Sequence, residues 1–249
     1  VTGSAEAGLV GITDLLVIHA PGGPLLASVT RGGGRLTTYE IATLAAPVIL
    51  GASTPLSSSW LQLESTDLVT LGSGAGARIM LVGLKSNRVE QVLPDLSAFS
   101  SASVSGASPD LFATLSMIGG ANSAIALAGL RTGGLVRVDV AHDGNLSTST
   151  VMTSPAVANA RATDIVSLQV GSDTFAVIAY GGANTLSVYK LLQGGSLQHV
   201  GDHTAAPNRS WIDTPADLAV ASAFGESYLI VASSGSGSTG VSRSSKLRT

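Results

Sequence analysis

Aspartate recurs in this sequence at a spacing that could do chemistry. Thr13-Asp14-Leu15, Thr66-Asp67-Leu68, Thr163-Asp164-Ile165 and Ala216-Asp217-Leu218 repeat one tripeptide, and Ala113-Thr114-Leu115 stands as a degenerate copy between the second and third. The steps between central residues are 53, 47, 50 and 53 residues. Asp14, Asp67, Asp164 and Asp217 placed at the same end of successive strands would form a ring of carboxylates able to hold a cation or bind sugar hydroxyls. The competing role is structural, since Asp readily accepts backbone N–H bonds in the loop entering a strand. Thr114 favours the structural role, because a hydroxyl can cap a turn but is a poor metal ligand.

Other residues with chemical capacity are sparse. His19, His142, His199 and His203 show no metal-ligand pattern: His199 and His203 are four apart, which shares a face on a helix but not on a strand running into a loop. No Gly-x-Ser-x-Gly elbow opens a helix, and the Ser-rich stretch at 235–240 reads as a turn. The glycine runs at 32–34 and 181–182 lack a following helix or Lys and cradle no phosphate. No catalytic residue is assigned. Trp60 and Trp211 occupy equivalent places in copies two and four, each in the segment leading to a repeat Asp. An indole there could stack on a sugar or anchor a protein, with Glu64 beside Trp60 and Arg209 and Asp213 beside Trp211 as polar rim contacts. Its structural role would be to cover the top of a strand core.

The elements that must position these residues read as short strands. The first in each copy is nearly continuously apolar (14–18, 67–71, 164–168, 217–221), which predicts burial on both faces. The second is equally apolar and ends in a turn cluster such as Arg131-Thr-Gly-Gly or Gly181-Gly-Ala-Asn, a hairpin signal. A third, opened by Leu36, Val89, Leu135, Leu186 and Val241, alternates and so predicts one wet face. A fourth, as in Leu146–Val151 or Leu197–Asp202, is more polar still and reads as an edge strand. Four strands of rising polarity every ~50 residues describe the blade of a β-propeller. A β-sandwich is the structural alternative. Expected blades are 9–57, 58–109, 110–161, 162–214 and 215–249 within one domain of residues 1–249. The fifth copy stops after its third strand, so two readings stay open. Residues 1–8 complete the last blade by strand exchange, or the chain is a fragment of a larger propeller.

One copy carries a resemblance. Asp164-Ile-Val-Ser-Leu, Phe175-Ala-Val-Ile-Ala-Tyr-Gly-Gly-Ala-Asn-Thr-Leu-Ser-Val-Tyr-Lys-Leu and Gly195-Ser-Leu-Gln-His-Val-Gly-Asp follow the order of lactonase-type and YVTN-type propeller blades, which they resemble. Ala216–Ser242 is similar to propeller regions of large secreted proteobacterial proteins of the RTX kind. The calcium nonapeptide Gly-Gly-x-Gly-x-Asp is absent, so the resemblance implies a fold and no calcium site.

Composition narrows the function classes. Thirteen Lys+Arg against sixteen Asp+Glu leave a net charge of -3, so there is no basic field for nucleic acid. With 45% hydrophobic residues the chain can build a core, yet no apolar run reaches the length of a membrane helix, and membrane insertion is not expected. There is no cysteine, and Lys occurs only at 85, 190 and 246. A Ser/Thr/Gly/Ala-rich chain of this kind is expected to be an extracellular or cell-surface bacterial domain. The expected function is a non-enzymatic binding or scaffold module engaging a glycan or protein surface. The alternative is a lactonase-like hydrolase with its site in the central channel. No cofactor is expected, although a divalent cation in that channel is compatible with the repeat aspartates.

Overall fold

A computed structural model of the chain describes residues 12–20, 22–30, 36–41, 48–51, 65–71, 77–83, 88–94, 99–103, 112–119, 124–141, 145–151, 153–205, 212–223, 226–234 and 242–245. These residues are all-β, organised in five separate sheets. Sheet one holds β1 (Ile12–Ala20), β2 (Gly23–Thr30), β3 (Leu36–Glu40) and β4 (Val48–Gly51). Sheet two holds β5 (Ser65–Leu71), β6 (Arg78–Gly83), β7 (Arg88–Val92) and β8 (Phe99–Ser103). Sheet three runs β9 (Phe112–Gly119), β10 (Ala124–Leu130), β11 (Leu135–Val140) and β12 (Leu146–Val151). Sheet four runs β13 (Ala162–Val170), β14 (Asp173–Tyr180), β15 (Thr185–Leu191) and β16 (Leu197–Thr204). Sheet five is β17 (Pro215–Ala223), β18 (Glu226–Ser233) and β19 (Ser242–Ser245). In each, strands follow sequence order, so every connection joins neighbours. The chain divides into two compact units, residues 1–115 with 140–148 and residues 116–139 with 149–249.

The hairpins follow from local chemistry. At the β10–β11 turn, Gly133 and Gly134 take φ of 99° and 100°, a conformation that side chains resist. Leu130 N–H donates to Gly134 O at 3.1 Å and closes the turn. At the β14–β15 turn, Asn184 takes the left-handed conformation at φ 50°, which Asn tolerates better than most residues.

Apolar side chains fill the space between consecutive sheets. In the first unit Ile18, Leu25, Val29 and Leu36 of sheet one pack with Leu68, Ile79 and Val92 of sheet two. In the second unit, sheet four uses both faces. Ile165, Ile178, Tyr180 and Tyr189 pack with Ile125, Leu127 and Leu135 of sheet three, whereas Val177, Leu186 and Val188 pack with Leu218, Leu229 and Val231 of sheet five. The alternation of Ile178 and Tyr180 with Val177 and Ala179 along β14 is the period-2 geometry of a strand buried on both sides.

Two burial expectations are corrected. Two of the first strands are not buried on both faces: on β1, residues 13, 15, 17 and 19 are exposed, and on β17 residues 216, 217, 219 and 220 are exposed, whereas β13 exposes only Gln169. Each first strand is an edge of its sheet, paired on one side only. The third strands do not keep a wet face. Thr185 to Tyr189 of β15 are all buried, because neighbouring sheets cover both faces. The fourth strands match their polar pattern, with β16 mostly exposed, and the fifth copy has its three strands. Residues 1–8 lie outside the described residues.

Candidate functional site

The repeat aspartates share one backbone device. The pairing of β1 with β2 slips between Ile12 and Asp14, that of β5 with β6 between Ser65 and Asp67, that of β13 with β14 between Ala162 and Asp164, and that of β17 with β18 between Pro215 and Asp217. The extra residue is each time the one before the Asp: Thr13, Thr66, Thr163 or Ala216. A bulge bends its strand and re-aims the adjoining side chain. Where the extra residue is Thr13 or Thr163, its hydroxyl donates to a carbonyl of the paired strand, Val29 O at 3.3 Å or Ala179 O at 3.2 Å. Thr163 Oγ1 also lies 2.7 Å from Pro215 O, at the start of the next copy.

Re-aimed in this way, the carboxylates reach forward by one copy. Asp14 accepts from Leu15 N–H at 2.8 Å through one oxygen and from Leu68 N–H at 2.8 Å through the other. Asp67 accepts from Leu115 N–H at 2.7 Å and from the Thr114 hydroxyl at 2.8 Å. Asp164 accepts from Ile165 N–H and Leu218 N–H, both at 2.7 Å. Asp217 accepts from Leu218 N–H at 3.1 Å. The expected structural role was a local loop contact. The geometry adds a longer-range one, in which Asp14, Asp67 and Asp164 each receive the amide that follows the next copy's anchor. Thr114 fits this scheme as a donor to Asp67.

Electrostatics follow from these contacts. Burial pushes the Asp67 carboxyl up to about 7, with the N–H of Leu115 and the hydroxyl of Thr114 opposing and the Asp14 charge adding to the rise. Burial likewise pushes Asp164 up to about 7, against the Leu218 and Ile165 amides and assisted by Asp217. Near neutral pH each of these carboxyls is divided between protonated and ionised forms.

A second polar cluster, around Asp202 on β16, was not visible in the sequence. Ser154 Oγ donates to one carboxylate oxygen at 2.6 Å, and Ser187 Oγ donates to the other at 2.6 Å. His199 Nε2 lies 2.9 Å from that second oxygen. Burial alone would raise the Asp202 pKa, but the two hydroxyls and His199 outweigh it and hold it below the usual carboxylate range. The phenols of Tyr180 and Tyr189 are pushed up, first by burial and also by the charge of Asp202. Ser, His and Asp are assembled here, but not as a nucleophilic triad. Both hydroxyls bond to the carboxylate instead of the imidazole, so the Ser-to-His contact of a triad is not made. The cluster ties the segment ahead of β13 to the outer strand of sheet four. Its only forewarning was the polarity of Gly201-Asp202-His203 on a strand read as an edge.

Other predicted residues are dispersed. Asp213 is half-buried and accepts from the Thr214 hydroxyl at 3.3 Å. His19 and His203 are exposed on β1 and β16. Trp60, Glu64, Arg209, Trp211 and His142 lie outside the described residues. Among the described residues, no three His, Asp or Glu side chains are grouped to hold a metal ion. No helix among them is long and apolar enough to cross a membrane.

No family model matches the chain, and no curated protein matches it significantly. Solved structures do. A functionally unknown protein from Desulfotomaculum acetoxidans is similar with a TM-score of 0.66 at 13% identity, over 95% of this chain and 69% of that one. A protein from Lactobacillus plantarum gives 0.63 at 18% identity, over 90% of this chain and 67% of that one. BBS1N, solved in complex with ARL6DN, gives 0.56 at 14% identity, over 89% and 62%. The chain therefore spans about two thirds of the length of the structures it matches. At these identities the likeness shows the fold alone, and that fold is all-β with propeller-like relatives.

Proposed function

We propose that the chain is a non-enzymatic binding or scaffold module of an extracellular or surface bacterial protein. Its five sheets are five blades of a β-propeller in a single domain, and it engages a glycan or a protein through loops at one end. The observation that carries this reading is the use made of the repeat carboxylates. Asp14, Asp67 and Asp164 have both oxygens or two donors engaged with backbone amides and a hydroxyl, at 2.7 to 2.8 Å. A general base or a cation ligand needs a free lone pair aimed at substrate or metal, and these are aimed at the protein. The Asp202 cluster supports the same reading, since its serines donate to a weakly basic carboxylate and not to an imidazole.

The segments carrying Trp60 with Glu64, and Trp211 with Arg209 and Asp213, are the proposed contact residues, because indole rings stack on sugars and anchor protein interfaces. The test pairs two measurements on one preparation. A glycan array and a lactone-hydrolysis panel with and without divalent cations are run on the wild type, Trp60→Ala and Trp211→Ala. Binding that both Trp variants lose, without turnover, is the expected result. Turnover of a lactone that chelator abolishes would replace the module with a lactonase-like hydrolase.

A further inference from the structure

Among the described residues, two that are not glycine adopt a positive φ, Asn184 at 50° and Thr214 at 51°. Asn tolerates that conformation, but a β-branched Thr is strained in it, and such strain persists only where the surroundings over-determine it. Here the two residues hold each other. Asn184 Oδ1 accepts the Thr214 N–H at 2.9 Å across 30 positions of sequence. Asn184 is fixed in turn by its own main chain, whose N–H donates to Gly181 O at 3.2 Å and whose carbonyl accepts from Ala205 N–H at 2.8 Å. Thr214 O accepts the Ser234 N–H at 3.0 Å and the Ser234 hydroxyl at 3.3 Å. The β14–β15 turn, the exit of β16, the entry to β17 and the exit of β18 are thus tied together at two residues, all within the second unit.

That knot leaves a defined set of polar atoms unused. Because the Thr214 N–H is a donor, the Asn184 atom facing it is Oδ1, so the carboxamide is oriented and its Nδ2 carries two hydrogens. Nδ2 makes no hydrogen bond to a described residue. The Thr214 hydroxyl sits between the carboxamide and a carboxylate, 3.4 Å from Asn184 Oδ1 and 3.3 Å from Asp213 Oδ1. Asp213 Oδ2 makes no hydrogen bond to a described residue. Asn184, Asp213 and Thr214 are each half-buried, so solutes can reach them. A held donor, a held acceptor and a hydroxyl that does both are what two neighbouring sugar hydroxyls need, since each of those donates and accepts. We propose that Asn184, Asp213 and Thr214 form a subsite for a vicinal diol of a pyranose. Asp213 accepts from one sugar hydroxyl, Asn184 Nδ2 donates to its neighbour, and the strained Thr214 keeps the pair in place before ligand arrives. This inference rests on the glycan-binding reading, to which it adds the hydrogen bonding that an indole stacked on a sugar does not supply; Asp213 stands two residues from Trp211.

The probes are methyl α-mannopyranoside, methyl β-galactopyranoside and methyl α-glucopyranoside, which between them offer cis and trans diols. Each is titrated into the isotopically labelled full chain and followed by NMR. The expected result is that one of them shifts the Asn184 side-chain NH2 signals, assigned by their loss in Asn184→Asp, together with the Thr214 amide. Asn184→Asp keeps the acceptor that holds Thr214 and removes the donor, and Asp213→Asn replaces the acceptor with an amide of the same shape. Each should weaken binding about tenfold, the loss of one hydrogen bond to ligand, with a cooperative thermal transition retained. Thr214→Gly removes the strain and the hydroxyl together. It should keep or raise the thermal midpoint while weakening binding, a combination that a purely structural residue does not give. No shift with any of the three glycosides overturns the diol subsite and leaves a protein surface as the partner of the module. Glycan binding that Trp60→Ala and Trp211→Ala lose but Asn184→Asp and Asp213→Asn retain overturns it too, with the binding reading left standing.

Discussion

Replacing Asp164 with Asn should change how stability depends on pH. The wild-type carboxylate accepts two amides, one per oxygen, from Ile165 and Leu218. Asn offers one oxygen and one NH2, so one amide must face a donor. The protonated wild-type carboxyl, with one acceptor oxygen and one O–H, meets the same mismatch, so Asn loses an acceptor only relative to the ionised form. Burial lifts the Asp164 pKa from 3.8 to about 7. The folded pKa lies above the unfolded one, so the native state holds more protons between pH 4 and 7. Its stability is fully present below about pH 4 and declines as pH rises through 7. Three pKa units set a ceiling of about 4 kcal/mol on that decline at about 1.4 kcal/mol per unit, and the half-buried position of Asp164 keeps the expected value near half of it. Asp164→Asn cannot titrate. It should lie within about 1 kcal/mol of wild type at pH 5 and be the more stable of the two by about 1–2 kcal/mol at pH 8. The assay is urea unfolding followed by tryptophan fluorescence and circular dichroism at pH 5, 6, 7 and 8. A wild-type stability that rises from pH 5 to 7, or an Asn variant with the same slope as wild type, would refute the reasoning.

Three further outcomes test other parts of the fold. Gly133→Ala should cost about 2–4 kcal/mol, seen as a lowered thermal midpoint. Its added Cβ would sit 2.6 Å from Asn159 Cα and against Ala158 O at a φ of 99°, whereas Gly171→Ala, at φ 62° with open space around it, should cost about 1 kcal/mol. Asp202→Ala strands the Ser154 and Ser187 hydroxyls and should destabilise by about 1–3 kcal/mol in denaturant unfolding at pH 7. Because the folded Asp202 pKa is lowered, its contribution is present above about pH 4 and is lost as pH falls through the folded value, so wild type and variant should converge in acid. Leu68→Ala should cost about 2–5 kcal/mol and Leu15→Ala under about 1 in dilute solution, because one side chain fills an inter-sheet core and the other is solvated.

Residue types and spacing alone located the repeat, the order of strands within each copy and the turns between them. These depend on neighbours in sequence: the run Phe175 to Tyr180 is a strand, Gly133 and Gly134 turn the chain, and the polar Leu197–Thr204 ends a sheet, whatever lies beyond. The all-β class followed. Tertiary structure decided what each of those groups touches. The bulge before Asp164 is one extra residue against β14, and it aims the carboxylate at an amide 54 positions away. Asp202 meets Ser154 across 48 positions and was therefore invisible as a cluster. Stacking of sheets on both faces also buried Thr185 and Ser187, where alternation alone had predicted water. The same Asp-Leu text yields a solvated Leu15 and a buried Leu68, because burial belongs to the neighbouring sheet and not to the residue.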